Sequence, residues 1–153
     1  MKTLRIIKLF IANKRNLDQV IKQTVKAIRK GQVAVCPTDT VYGLVCDAGN
    51  KKAVERLYKI KKRSRNKPIP IFVKDIEMAK RFAEIDKKQE AFLREVWPGA
   101  LTAVLKSKKG KKTTGIRIPR YKLLLGLAEQ LKVPLAETSA NISGKPATTK
   151  IKE

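Results

Sequence analysis

Residues 59–68, KIKKRSRNKP, place six cations in ten positions directly after a helical pattern. Such a run serves as a solvated face, as a phosphate-binding strip for nucleic acid, or as the anion-binding part of an active site. Three further polar clusters follow strand-like segments, where an α/β sheet gathers its ligands. PTDTVYGL (37–44) offers Thr38, Asp39, Thr40 and Tyr42 beside a proline that fixes the chain. TTGIRIP (113–119) sets Arg117 between Ile116 and Ile118, so on an extended strand the arginine faces away from both. ETSANISG (137–144) packs hydroxyls, an amide and a glycine. Together they supply neutral donors and guanidinium groups but no nucleophile–base pair, which suits binding and stabilising anions better than acyl-enzyme chemistry. Thr, Asn, Ser and Gly are also what turns use, and a solvated edge also accommodates an arginine, so no cluster taken alone separates a site from a loop.

The bulk sequence narrows the classes. Its 153 residues read as one domain, and 36 Lys and Arg against 13 acids give a net charge of +23. A field of that sign attracts nucleic acid, nucleotides or an anionic membrane without specifying a fold. There is no histidine, so a zinc site lacks ligands; Cys36 and Cys46 fall in apolar segments and read as inert buried thiols. No apolar run approaches a membrane span and no leader is evident, making the cytoplasm the expected compartment. GKKT (110–113) resembles the end of a Walker A loop, but the leading glycine position is Leu105; no G-x-G-x-x-G occurs either.

The elements that must position these clusters alternate. Residues 4–11 read as a strand, and Asn16 offers a cap for a helix ending at Gly31. Strands are expected at 33–36 and 41–45, then a helix capped by Asn50 and running through Lys62, whose C-terminal dipole accounts for Lys61 and Lys62 without invoking function. A strand at 69–73 follows, then a helix from Asp75 to Ile85 and another over 87–96. Strands at 101–107 and 115–119, a helix over 121–131 and a strand at 133–137 complete the pattern. A twisted mixed β-sheet flanked by helices, with an open positively charged cleft, is the expected α/β architecture.

Taken in order, PTDTVYGL, the K-x-R of Lys61-Lys62-Arg63, Lys67-Pro68, WPGALT (97–102), GIRIP and SANISGKP resemble the YrdC-like domain of L-threonylcarbamoyladenylate synthases. The resemblance covers residues 17–149 and implies one YrdC-like domain over 1–153. Enzymes of that family condense threonine, bicarbonate and ATP to threonylcarbamoyladenylate and pyrophosphate, for threonylcarbamoyl modification of adenosine 37 in tRNA. The resemblance implies reacting-group roles for Lys61, Arg63, Ser139 and Asn141. It further implies threonine or bicarbonate contacts for Thr38, Thr40, Arg117 and Glu137, and ATP contacts for Arg63, Lys67, Thr113 and Ser139. Mg²⁺ is expected with the ATP, and a downstream threonylcarbamoyl-transferase complex as partner.

Within the basic run, Lys61, Arg63 and Lys67 are expected to face the nucleotide, and Lys59, Lys62 and Arg65 to be solvated or to face RNA. Arg63→Ala is then expected to cost at least ~10² in turnover and Lys62→Ala little. Two features depart from the family pattern. The family's later Ser-Thr-Val/Ile strand and arginine are absent from the sequence, and Ala147 stands where serine is common. One competing reading is a non-catalytic protein of the same fold that binds tRNA or double-stranded RNA. The charge favours it, and the scarcity of aromatics (one Trp, three Tyr, four Phe) weakens it. The carbamoyl-transfer module of hydrogenase maturation proteins shares the domain but sits in longer chains with zinc-finger regions.

Overall fold

The computed structural model describes residues 16–110 and 112–150. Six strands form one mixed sheet in the order β1-β2-β6-β3-β5-β4. They are β1 (Ala34–Cys36), β2 (Gly43–Asp47), β3 (Ile71–Phe72), β4 (Ala103–Lys106), β5 (Thr113–Arg117) and β6 (Leu135–Ser139). Among the described residues only β3 and β5 pair in parallel; every other neighbouring pair is antiparallel. Among the described residues five helices flank the sheet: α1 (Leu17–Arg29), α2 (Lys51–Lys61), α3 (Ile76–Lys80), α4 (Lys87–Val96) and α5 (Lys122–Leu131). This is the α/β class expected from the alternation. The strand expected over 4–11 lies outside the described residues.

Local chemistry explains most boundaries. α1 buries Val20, Ile21, Val25 and Ile28 along one stripe, each such side chain worth about 1.5–3 kcal/mol when removed from water. Asn16 precedes α1, but its side chain makes no capping bond, contrary to expectation. Asn50 and Asp75 do cap, accepting from the amides of Ala53 (3.1 Å) and Met78 (2.7 Å). α3 stops at Lys80 rather than Ile85 because the chain turns to join the sheet: Ala83 bridges Ser107, and the Glu84 amide donates to the Lys106 carbonyl at 2.9 Å. β3 is shorter than expected, as Pro68 and Pro70 lack the amide hydrogens a longer ladder needs. β6 runs past Glu137 to Ser139, and β5 begins at Thr113.

Register sets which side chains share a face. Cys36 pairs with Gly43 and Gly43 with Ser139; Val45 pairs with Glu137; Phe72 pairs with both Leu135 and Arg117. Alternation therefore puts Glu137, Ser139, Arg117, Gly43 and Thr113 on one face. α1 and α5 cover part of that face through Val45, Phe72 and Leu135. They approach closely because Gly126 has no side chain: the Ile21 Cδ1 lies 2.6 Å from where a Cβ would stand. The opposite face packs Leu44, Cys46 and Ala136 under α2, and Ile116 with Ile76, Met78 and Leu93 of α3 and α4.

Candidate active site

Lys61 ends α2 beneath the last residues of β6, with 3 % of its surface exposed. Its ammonium donates to the Ser139 carbonyl (2.6 Å), the Ser139 hydroxyl (3.1 Å), the Asn141 carbonyl (3.2 Å) and the Asn141 side-chain oxygen (3.0 Å). The Lys61 carbonyl in turn accepts from the Ser143 amide at 2.8 Å. The lysine of K-x-R and the Ser139 and Asn141 of S-x-N thus form one hydrogen-bonded unit, and the helix-dipole reading is insufficient for Lys61. Burial and the neighbouring Arg63 pull its pKa below the ordinary lysine value, with Glu137 opposing.

The rest of the basic run divides. Lys62 is exposed and closes α2 in the left-handed region at φ 51°. Arg63 folds its guanidinium onto its own loop, donating to the carbonyls of Lys67 (2.9 Å) and Pro68 (3.1 Å). Arg65 pairs with Glu55 and stacks over Tyr58, and Lys67 is exposed. Arg63 and Lys67 therefore belong to one loop, shaped by the former and displaying the latter.

Arg117 is 7 % exposed and engaged through two of its three nitrogens. Its Nε donates to the Gly99 carbonyl at 2.8 Å, its Nη2 pairs with Asp39, and its guanidinium lies 5.3 Å from the centre of the Phe72 ring. Among the described residues Nη1 has no hydrogen-bond partner. The WPGALT loop is what presents Gly99: Trp97 donates its indole N–H to the Leu101 carbonyl (2.8 Å), and the Gly99 amide bonds Ile118 (2.9 Å). Asp39 also accepts from the Arg120 amide at 2.9 Å, tying the 37–42 turn across the sheet. Sequence reasoning noticed Asp39 but gave it no role, since 78 residues separate it from Arg117.

Thr38 organises that turn. Its hydroxyl donates to the Val41 carbonyl (2.6 Å) and accepts from the amides of Thr40 (3.0 Å) and Val41 (3.2 Å), while the Thr40 hydroxyl lies 3.0 Å away. The turn and the S-x-N loop meet where the Ala140 amide donates to the Tyr42 carbonyl at 2.7 Å. Glu137 stands between these parts, 9 % exposed, its carboxylate lying across Gly43 where a Cβ would collide with it. Burial raises its pKa from 4.5 to about 7, Arg117 and Lys61 working against that rise and Asp39 with it. Thr113 is exposed at the start of β5, four residues before Arg117 on the same face and toward the Ser139 end of the sheet. The structure thus joins Lys61, Ser139 and Asn141 directly. It sets Arg117, Glu137, Thr38 and Thr40 around one sheet face, and leaves Lys67 and Thr113 as exposed residues without side-chain bonds among the described residues.

The family profile Sua5_yciO_yrdC, described as "Telomere recombination", matches residues 26–153. The chain is 37 % identical over 155 residues to a protein of Methanocaldococcus jannaschii, an alignment spanning 97 % of this chain and 73 % of that one. It is 35 % identical over 143 residues to the threonylcarbamoyl-AMP synthase of Bacillus subtilis, covering 87 % of this chain and 41 % of the other. Its fold superposes on Pyrococcus abyssi Sua5 complexed with L-threonine with a TM-score of 0.81 and 35 % identity, over 86 % of this chain and 42 % of that one. The chain therefore spans about two-fifths of the length of the Bacillus and Pyrococcus relatives. With the profile matched over most of its length and the K-x-R and S-x-N segments locked together, the chain belongs to the Sua5/YciO/YrdC family.

Proposed function

We propose that the chain is an L-threonylcarbamoyladenylate synthase domain, condensing L-threonine, bicarbonate and ATP to threonylcarbamoyladenylate and pyrophosphate for threonylcarbamoyl modification of tRNA. The observation that carries this reading is the lock of Lys61 onto Ser139 and Asn141 beside the Arg117–Asp39 pair, in a chain of this kinship. All three substrates carry anionic groups, so gathering them is opposed by Coulomb repulsion that fixed cations must offset. The threonine carboxylate would meet Arg117 through Nη1, since Nε and one Nη2 hydrogen already serve Gly99 and Asp39. The Arg63–Lys67 loop, Thr113 and the Ser139 hydroxyl would border the triphosphate. After the amine has been carboxylated by bicarbonate, the carbamate oxygen attacks the α-phosphorus in line and pyrophosphate leaves. That is nucleotidyl transfer by positioning and electrostatics.

Mg²⁺ fits this site as a companion of ATP rather than a resident ion. Among the described residues no three His, Cys, Asp or Glu side chains come together, and Asp39 is committed to Arg117. The ion would take its ligands from phosphates and water and offset phosphate charge. We place the reaction in the cytoplasm, with the product passing to a threonylcarbamoyl-transferase complex. Among the described residues no helix is long and apolar enough to cross a membrane.

The test is pyrophosphate release by the 153-residue chain with ATP, Mg²⁺ and bicarbonate, comparing threonine, serine and no amino acid. Threonine-dependent release is expected; its absence overturns the reading. RNA binding is favoured as an added property by the cluster of Lys22, Lys26, Arg29 and Lys30 on and just after α1. Salt-sensitive, sequence-tolerant binding of duplex RNA, weakened by Lys26→Glu, would mark it.

A further inference from the structure

Glu137 is a carboxylate with 9 % of its surface exposed; among the described residues no protein donor bonds it, and its oxygens reach the solvent side of the site rather than being sealed in. An ionised carboxylate held that way is costly unless something supplies hydrogen bonds to it. Its strand neighbours Val45 and Leu135 are apolar, and burial among them raises its pKa, while Arg117 and Lys61 pull the other way. The charged and titratable groups acting on it are Arg117 from β5, Lys61 from α2, Asp39 from the 37–42 turn and Cys36 from β1. Lys61 directs its hydrogens to Ser139 and Asn141, and Arg117 directs Nε and Nη2 to Gly99 and Asp39 and keeps Nη1 free among the described residues, so neither cation makes a hydrogen bond to Glu137. Its space is kept open by Gly43, whose missing side chain leaves room for a carboxylate oxygen that a Cβ there would collide with, and the Thr38 Cγ2 bounds the same gap. The complement of such an oxygen pair is a small cation with several donors: a primary ammonium.

Resting on the synthase reading, we propose that Glu137 receives the ammonium of the amino-acid substrate and takes its proton. Threonine enters with a protonated amine, which has no lone pair for carbon. The proton moves from nitrogen to the Glu137 oxygen, leaving a neutral amine and a carboxylic acid. The nitrogen pair then forms the N–C bond to bicarbonate, and the C–O bond to its hydroxyl breaks. That hydroxide leaves as water with a proton from the amine, and Glu137 returns its own proton to solvent. The sum is one ammonium and one bicarbonate giving one carbamate, one water and one proton. Arg117 and Lys61 assist by disfavouring a third positive charge beside them, which eases loss of the ammonium proton. A base that titrates near working pH combines the correct protonation state with useful basicity.

The experiment measures threonine-dependent pyrophosphate release from pH 5.5 to 9 for the wild type, Glu137→Gln and Gly43→Ala, with ATP affinity measured by calorimetry. Glu137→Gln keeps the shape and removes the basicity. Its kcat/KM for threonine is expected to fall by at least ~10², the lower scale of general-base contributions, with ATP affinity held and the rise through about pH 7 gone. Gly43→Ala keeps the carboxylate but displaces it, and is expected to share the loss. Glu137→Gln turning over within threefold of wild type overturns the inference, as does a loss uniform across pH, which marks a merely structural role. A wild type without threonine-dependent release overturns the synthase reading, and the inference with it. A wild type that works alongside an unimpaired Gln variant overturns the inference alone.

Discussion

Two buried charges on neighbouring elements meet opposite fates. The Lys61 ammonium shares its three hydrogens among four acceptors, whereas the Glu137 carboxylate has no protein donor among the described residues. Removing the Lys61 ammonium leaves the Ser139 and Asn141 carbonyls without their donor, so Lys61→Met is expected to cost about 3 kcal/mol, read from urea unfolding. Glu137 contributes with the opposite sense. Its pKa in the folded state is about 7, against an ordinary 4.5, so between these pH values the folded state binds more protons than the unfolded one. Stability from this group is therefore present below pH 4.5 and lost as pH rises to about 7. Glu137→Gln should match the wild type at pH 4 and exceed it by on the order of 3 kcal/mol at pH 8. A difference independent of pH would show an ordinary carboxylate.

At the scale of elements, legibility tracked how local the cause was. The caps of α2 and α3 were readable because Asn50 and Asp75 act on amides three residues away. The reciprocal Asp86–Gln89 bonds that start α4 have the same range and were there to be read. The end of α3 was not, since what stops it is pairing with Ser107, a contact no periodicity announces. The site divided likewise: the motif order marked Lys61, Ser139 and Arg117, while the grip of Asp39 on Arg117 needed the fold. Lys132 shows a boundary that is local yet strained. It ends α5 at φ 57°, in the left-handed region that costs a side-chain-bearing residue about 1 kcal/mol. Lys132→Gly should therefore stabilise by about 0.5 kcal/mol despite the looser unfolded chain, visible as a higher urea midpoint. A lower midpoint would show that the lysine contributes more than its backbone costs.

Over the whole molecule the charges do not balance, and the ion pairs show how the acids are spent. Glu55, Asp75, Glu77, Glu84, Glu90 and Glu129 each meet a lysine or arginine at the surface, and Asp39 meets Arg117 inside. With 36 cations and 13 acids, pairing leaves most cations repelling one another across a surface of 10442 Å². Exposed pairs contribute about 0–1 kcal/mol each and weaken in salt, but the unpaired excess is also screened, and screening favours the compact state that suffers the repulsion. The excess outnumbers the pairs, so salt should stabilise. Raising NaCl from 50 to 500 mM at pH 7 is expected to lift the Tm by roughly 3 °C, about 1 kcal/mol for a domain of this size. Sulfate should do more, being a divalent anion that is also excluded from apolar surface. A Tm that falls with salt would mean that the ion pairs outweigh the repulsion of the remaining cations.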